Sequence, residues 1–166
     1  MKPIVAIRYR DALYYTRKEI KDFILPVYVA VGNLIVSKDY IIIYFTEEKN
    51  LPIRGILIPN EALSLEKKEK RVVVKIPNII NQTAREVGVF WKDIVYFENG
   101  KIPNKPTQMY TEGQFFLQTS DVIILKNPET LTIERGSMHN HPRVRPTFYT
   151  IPKVLITEIE FYDKKL

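Results

Sequence analysis

The chain of 166 residues has the size of one domain, and its 45% hydrophobic and 27% charged residues are typical of a soluble globular protein rather than a disordered or membrane protein. The absence of cysteine excludes disulfides, thiolate metal ligands and cysteine nucleophiles. A formal charge of +6 favours encounters with polyanions without specifying one, and a generally basic, soluble surface accounts for it equally well.

The first half of the chain is dominated by strand signals. Runs of β-branched and aromatic residues predict strands at residues 3–9, 25–31, 34–37, Tyr40–Phe45, 53–58 and 71–76. Turn signals at Gly32-Asn33 and Lys38-Asp39 separate the runs between residues 25 and 45. This part of the chain is therefore predicted to form a hairpin or meander of antiparallel neighbours.

The second half continues the strand pattern around predicted loops and turns. Residues 102–113 contain two prolines and are predicted to form an exposed loop, because proline denies a sheet its ladder hydrogen bonds. Asn99-Gly100 suits a tight turn, and residues 127–129 form a turn between two apolar runs. Strands are predicted at residues 94–97, 114–118, 121–125, 131–135, 147–151 and 153–162.

Helix signals are fewer, and they occur in residues 11–23, 60–70 and 79–87. Thr16 and Glu19 have the spacing of a capping box in the first segment. Asn60 can cap the second segment, and Gly88 ends the third. Because strand signals outnumber helix signals about three to one, the sequence predicts a single α+β domain over residues 1–166. It is expected to be mainly β, with antiparallel sheets forming a sandwich or partly open barrel and two or three short helices.

The most unusual segment is residues 135–153, which is basic and contains no acidic residue. Gly136, Pro142 and Pro146 are expected to keep its first half out of regular structure. Cations that pair with phosphates, beside rings that stack on bases, are typical of single-stranded nucleic-acid binding. A solvated basic loop, or one that packs on a partner subunit, has the same composition. RNA or single-stranded DNA is the predicted partner of Arg135, Arg143, Arg145, Lys153, Phe148 and Tyr149.

The same segment contains both histidines of the chain, His139 and His141. They have the chemistry of a general base and acid, and Arg143 or Arg145 would stabilise the developing charge of a phosphate, as a small metal-independent nuclease requires. A metal site would need a third ligand that the sequence does not identify, so no metal and no cofactor is predicted. The sequence contains no serine-elbow, phosphate-loop, dinucleotide or zinc-protease motif. The nuclease is the alternative to a non-catalytic function.

Aromatic and branched residues are the signal for self-association. The ten tyrosines supply many rings for interfaces, where tyrosine is enriched. Tyr40–Phe45 fits a strand buried on both faces or one covered by a second copy of the chain. The sequence therefore favours a non-catalytic interaction or structural protein, an oligomeric accessory subunit of a larger assembly. A nucleoprotein complex or an antiviral-defence complex suits such a chain.

The location is predicted to be cytoplasmic. Residues 1–10 lack the long apolar stretch of a signal peptide, and the most apolar window, residues 23–36, is too short to span a bilayer. Isoleucine, tyrosine, lysine and proline are abundant and glutamine is scarce, which is the bias of proteins that work at high temperature. These features indicate a compartment and a habitat, and they indicate no activity.

Overall fold

The computed structural model describes residues 4–45, 54–73, 85–98, 101–134, 137–140 and 146–162, with the backbone alone described at residues 134 and 137–140. The described residues form these strands in chain order: β1 (Ile4–Tyr9), β2 (Leu13–Tyr15), β3 (Asp22–Leu25), β4 (Tyr28–Val36), β5 (Tyr40–Phe45), β6 (Arg54–Pro59), β7 (Lys70–Val73), β8 (Glu86–Asp93), β9 (Val95–Phe97), β10 (Thr107–Gln118), β11 (Val122–Glu134), β12 (Ser137–Asn140), β13 (Phe148–Pro152) and β14 (Ile156–Tyr162). Two single-turn 3-10 helices, Asn60–Ala62 and Lys153–Leu155, complete the regular structure of these ranges.

The strands are arranged in three antiparallel sheets. The five-stranded sheet has the order β1-β4-β5-β6-β9, and the seven-stranded sheet has the order β14-β8-β10-β11-β13-β2 with β12 paired to β11. β3 and β7 form a separate two-stranded sheet. The described strands close into no barrel. The expectation of a mainly β domain with antiparallel sheets is confirmed.

One core cluster joins the two large sheets. Alternate residues of each strand point to the same face, so one face of each sheet can be apolar throughout. The five-stranded sheet contributes Tyr9, Ala30, Ile41, Ile43, Ile56 and Ile58. The seven-stranded sheet contributes Val87, Val89, Trp91, Met109, Ile123, Leu125 and Ile151. The shared burial of these residues stabilises the packing of the two sheets on each other.

Two further clusters lie outside this core. One packs Phe23 and Leu25 of β3 against Val122, Ile124 and Phe148 of the seven-stranded sheet. The other contains Ile42, Tyr44, Leu57 and Phe97, and it lies on the face of the five-stranded sheet opposite the shared core, because neighbouring residues in a strand point to opposite faces. The predicted burial of Tyr40–Phe45 on both faces is therefore seen, with Ile41 and Ile43 on one face and Ile42 and Tyr44 on the other.

The predicted helix at residues 11–23 is wrong. Leu13–Tyr15 forms an edge strand of the seven-stranded sheet, and Asp22–Leu25 forms β3. In β3, Phe23 and Leu25 are 1% and 2% exposed, while Asp22 is exposed. Tertiary burial of two alternate residues therefore overrides the capping signal, as is usual for weak local propensities.

The predicted helix at residues 60–70 is also wrong. Only Asn60–Ala62 forms a 3-10 turn, and Leu63 after it is extended. The segment buries Ala62 but leaves Leu65 99% exposed, so it has no apolar stripe for a helix to bury. Its backbone pairs instead with the edge of β1, through Arg10 N–H to the Ala62 carbonyl (2.8 Å) and Ser64 N–H to the Arg8 carbonyl (2.9 Å).

The third predicted helix, residues 79–87, lies mostly outside the described residues. Its described end, Glu86 and Val87, begins strand β8 rather than ending a helix. Val87 is fully buried in the shared core and pairs across two neighbouring strands. Within the described ranges no helix has the length and apolar character needed to cross a membrane.

Three predicted interruptions are instead parts of strands. β4 continues through Gly32-Asn33, where a Cβ on Gly32 would lie 2.6 Å from the Tyr44 carbonyl oxygen, so this glycine permits close packing rather than a turn. β11 continues through residues 127–129, where Asn127 has a φ of 49° and the register with β10 shifts, as in a β-bulge. The second half of the predicted loop at residues 102–113 belongs to strand β10, Thr107–Gln118.

Candidate functional site

The first half of the basic segment contains a strand, so the expectation that its glycine and prolines keep it out of regular structure is wrong. Ser137–Asn140 forms β12 and pairs with β11, with His139 opposite Thr132. The side chain of His139 lies outside the described part of the structure, as do Arg135, His141, Arg143 and Arg145. Their roles in nucleic-acid binding, and the nuclease that would use the two histidines, stay predictions.

The aromatic residues of the segment point to opposite faces of β13. Phe148 is 3% exposed, and its ring lies 5.2 Å from that of Phe23 and 5.0 Å from that of Phe116. Tyr149 packs on the shared core, 5.8 Å from the ring of Trp91. Because neighbouring strand residues alternate between faces, the two rings form no common stacking platform. A base would have to displace core residues to reach Phe148.

Lys153, the last cation predicted to bind nucleic acid, is only partly exposed. It begins the 3-10 turn Lys153–Leu155, and its N–H donates to the Asp121 carbonyl over 2.9 Å. Its ammonium group as a phosphate contact remains a prediction. The backbone contact places it beside the start of β11, whereas the predicted cluster of arginines lies before β13.

A cavity outside the basic segment is lined partly by cationic side chains. It has a volume of about 530 Å³, and its lining is Pro26, Val27, Lys67, Lys68, Glu69 and Arg71. Arg71 lies 3.5 Å from a carboxylate oxygen of Asp22 and 3.7 Å from one of Glu69. These contacts offset the charge of Arg71, so this region is an exposed surface of mixed charge rather than a built anion site.

Two aspartates form a carboxyl pair that the sequence reading missed. Asp11 lies in the connection between β1 and β2, and Asp93 is the last residue of β8. Both side chains are partly buried, and they are close enough for the charge of Asp93 to act on the carboxyl group of Asp11. Burial, followed by the charge of Asp93, raises the pKa of Asp11 from its ordinary 3.8 to about 8. Each aspartate follows a strand in the sequence, but only the tertiary structure shows that the two meet.

Tyrosines surround this carboxyl pair. Burial raises the pKa of Tyr149 well above its ordinary value, and the charges of Asp93 and Asp11 act in the same direction. Burial also raises the pKa of Tyr9 and of Tyr28, and Asp11 contributes to both shifts. The hydroxyls of Tyr9 and Tyr96 lie 3.4 Å apart. The raised pKa values keep Tyr9, Tyr28 and Tyr149 neutral at physiological pH.

An exposed apolar patch occupies the outer face of the five-stranded sheet. Its members are Ile4 and Ala6 of β1 and Val29 and Val31 of β4, which we call the β1–β4 patch. Ala6 pairs with Val31 in the sheet, and the inward-facing neighbours Ile7 and Ala30 belong to the shared core. Ile4, Val29 and Val31 are 74%, 55% and 51% exposed. A contiguous group of exposed apolar side chains on a sheet is typical of a protein-binding surface.

The described residues contain no group of three or more histidine, aspartate or glutamate side chains placed to hold a metal ion. No protein-family model matches this chain, and neither a curated protein nor a solved structure matches it.

Proposed function

We propose that this protein is a non-catalytic interaction subunit that self-associates through the β1–β4 patch and acts as an accessory subunit of a larger assembly. The observation that supports the proposal best is the exposure of Ile4, Val29 and Val31 on one sheet face. Ala6, opposite Val31, connects them, and Arg8, opposite Val29, borders the patch. Strand residues that face water are ordinarily polar, because exposed apolar side chains gain nothing from folding. A second copy of the chain would bury these exposed side chains.

The edge of β1 adds backbone hydrogen-bonding groups to this surface. Arg8 and Arg10 use their outward backbone groups in bonds to Ser64 and Ala62, which cover that end of the strand. By the alternation of an antiparallel ladder, the backbone groups of Ile4 and Ala6 also point away from β4. The patch and this part of the edge are adjacent, so one partner surface can contact both.

The strength of the contact can be judged from the exposed side chains. Full burial of one valine or isoleucine contributes about 1.5–3 kcal/mol. In a twofold dimer both copies bury the same patch. Because the three largest side chains are half to three-quarters exposed at present, their burial on both copies contributes about 5–11 kcal/mol before the entropic cost of association. Such a contribution fits a reversible, concentration-dependent dimer.

Analytical ultracentrifugation over a wide range of protein concentration tests the proposal. The wild-type chain is expected to shift from monomer to dimer as its concentration rises. Val29→Lys places a charge in the patch and is expected to weaken the dimer at least tenfold. Val154→Lys is the matched control, since Val154 is 52% exposed and Val29 is 55% exposed, but Val154 lies in a 3-10 turn outside the patch.

Two results would contradict self-association through the patch. One is a wild-type chain that stays monomeric at every concentration. The other is equal weakening by Val29→Lys and Val154→Lys, which would place the interface elsewhere. Circular dichroism of both variants checks that each retains the strand content of the wild type.

The proposed larger assembly is a nucleoprotein or antiviral-defence complex in the cytoplasm, and the basic segment is the proposed contact with RNA or single-stranded DNA. Its support is the absence of acidic residues from residues 135–153. Affinity for a single-stranded oligonucleotide should fall steeply with salt and fall further in an Arg143→Ala, Arg145→Ala variant. Lys67→Ala, Lys68→Ala is the control, because it removes the same charge from two exposed lysines that line the cavity outside the basic segment. An affinity that does not change with salt concentration would contradict this assignment. Equal loss of affinity in both double variants would contradict it as well.

A further inference from the structure

The basic segment is joined to two other parts of the chain at Thr147. The backbone N–H of Thr147 donates to the Tyr15 carbonyl over 2.7 Å, and its carbonyl accepts the N–H of Asn127 over 2.8 Å. The hydroxyl of Thr147 also donates to the carbonyls of Tyr15, over 3.0 Å, and of Arg17. The basic segment, the end of β2 and the bulge of β11 therefore meet at these four residues, which we call the Thr147 junction.

The strand register shows how these parts are spaced. β13 lies between β11 and β2, and Phe148 pairs with Lys126 on one side and with Tyr15 on the other. Because neighbouring strands are about 4.8 Å apart, the backbones of Lys126 and Tyr15 are about 10 Å from each other. The end of β2 and the bulge of β11 therefore flank the start of β13 on its two sides.

Exposed cations lie on both sides of the junction. Lys126 of β11 is exposed, and so are Arg17 and Lys18 in the connection between β2 and β3. The same connection contains a third exposed cation, Lys21, against one acid, Glu19. The surface around the junction therefore carries an excess of positive charge.

The ion pairs of the described residues do not engage the cations at the junction. They engage four other cations, which are Arg10, Lys70, Arg71 and Lys92. Within the described ranges no carboxylate is paired with Arg17, Lys18 or Lys126. A phosphate can therefore bind these three side chains without breaking an existing ion pair in this part of the structure.

The arginines proposed to bind nucleic acid are close to the junction along the chain. Arg145 and Arg143 precede Thr147 by two and four residues, and each residue extends a chain by at most about 3.6 Å. A nucleic acid held by these arginines would therefore pass the junction and come within reach of its cations.

We infer that Arg17, Lys18 and Lys126 continue the nucleic-acid surface of the basic segment across the Thr147 junction and contact phosphates of the same single strand. The inference rests on the proposed binding of RNA or single-stranded DNA by the basic segment. The ring that follows the junction in the chain, that of Phe148, is 3% exposed and offers no platform for a base. Phosphate contacts position a strand without reading its sequence, so this part of the surface contributes affinity rather than specificity.

Salt titrations of the full chain, followed by fluorescence anisotropy, test the inference with a labelled oligothymidine and an oligouridine of the same length. For a single strand, the logarithm of the binding constant falls with that of the salt concentration by about 0.7 for each phosphate contacted. Arg17→Ala, Lys18→Ala should therefore reduce this slope by about 1.4, which corresponds to an affinity about 25-fold lower at about 0.1 M salt. Lys126→Ala should reduce the slope by about 0.7.

Lys67→Ala, Lys68→Ala is the matched control, since it removes two exposed positive charges at the opposite end of β3. These lysines precede Lys70, which pairs with Leu25 at the end of β3, whereas the β2–β3 connection precedes its start. The slope of the control should equal that of the wild type. Every substitution leaves the backbone bonds of the junction in place, and circular dichroism checks that each variant keeps the strand content of the wild type.

The possible results separate this inference from the proposed function. The junction surface is overturned if Arg143→Ala, Arg145→Ala lowers the slope while Arg17→Ala, Lys18→Ala and Lys126→Ala both behave as the control; the basic segment then remains the contact. Both proposals are overturned if neither oligonucleotide binds, or if binding of both is independent of salt.

Backbone amide NMR of the wild type provides a direct measurement that needs no variant. Addition of the bound oligonucleotide should shift the signals of Arg17, Lys18 and Lys126 and leave those of Lys67 and Lys68 in place. Unchanged signals at Arg17, Lys18 and Lys126 under saturating oligonucleotide would also overturn the junction surface.

Discussion

A single substitution, Thr111→Val, tests whether the side-chain hydrogen bonds buried in the shared core are needed for the stability of the fold. Trp91 and Thr111 are both 0% exposed, and Nε1–H of Trp91 donates to Oγ1 of Thr111 over 2.9 Å. The same oxygen lies 3.0 Å from Oγ1 of Thr130. Valine has nearly the shape of threonine but offers no acceptor, so the indole N–H would be left buried without a partner.

The expected cost can be worked out from these contacts. An unpaired buried donor costs about 1–3 kcal/mol, and the valine methyl returns only a small part of this through its own burial. A loss of about 2 kcal/mol lowers the melting temperature of a chain this size by about 4–8 °C. Thr130→Val makes the same chemical change but leaves Trp91 its acceptor. Its expected cost is less than about 1 kcal/mol, because the Trp91 N–H keeps its partner and Thr130 itself is partly exposed.

Urea unfolding provides the assay, because Trp91 is the only tryptophan of the chain and its fluorescence reports the core. A double-mutant cycle with Trp91→Phe, followed by far-ultraviolet circular dichroism, isolates the bond. Thr111→Val should cost less in the Trp91→Phe background, where no N–H is left unpaired. Equal costs in both backgrounds would refute the reasoning, as would a Thr130→Val variant destabilised as much as Thr111→Val.

Two further substitutions test contacts between neighbouring strands. Gly55→Ala would place its Cβ 2.5 Å from the Ile43 carbonyl oxygen, so we expect it to cost more than about 2 kcal/mol in urea unfolding, or to prevent folding. Gly113→Ala, with its nearest atom at 3.0 Å, should cost less; the opposite order would contradict the packing argument. The hydroxyl of Tyr15 accepts the Ile24 N–H over 2.7 Å and donates to the Ile24 carbonyl, so Tyr15→Phe should destabilise the chain by about 1–3 kcal/mol. Amide hydrogen exchange at Ile24 should become faster, and unchanged protection there would count against this bond.

Much of the strand content could be predicted because its signal is local. Tyr40–Phe45 is a continuous run of β-branched and aromatic residues, and most residues of Ile4–Tyr9 are of these types. The structure has both as strands with bounds within a residue of the prediction. The alternation of VLITEIEFY likewise placed a strand in Ile156–Tyr162. Side-chain shape and a period of two residues act within each segment, so they are readable without knowledge of the rest of the chain.

Local signals misled where a distant contact outweighs them. The Thr16 and Glu19 capping box lies beside residues that instead form strands, because Phe23 and Leu25 gain more from burial against the seven-stranded sheet than a helix would offer. Gly32 has the appearance of a turn residue, yet it lies within β4 because Tyr44 leaves no room for a Cβ. Ile124, in the cluster with Phe23 and Leu25, is distant from them in sequence, and Tyr44 lies on the strand after the one that contains Gly32.

The sequence by itself determined the class of this protein: its cysteine-free composition, its basic charge and its antiparallel strands all follow from residue types and short-range periodicity. Only the tertiary structure decided which apolar residues are left exposed in the β1–β4 patch and which carboxyl groups meet. Asp11 and Asp93 are separated by about half of the chain, and their carboxyl groups influence each other because the two connections between the sheets are close together. Contacts of this kind depend on how the sheets pack, and packing is a property of the whole chain rather than of any segment.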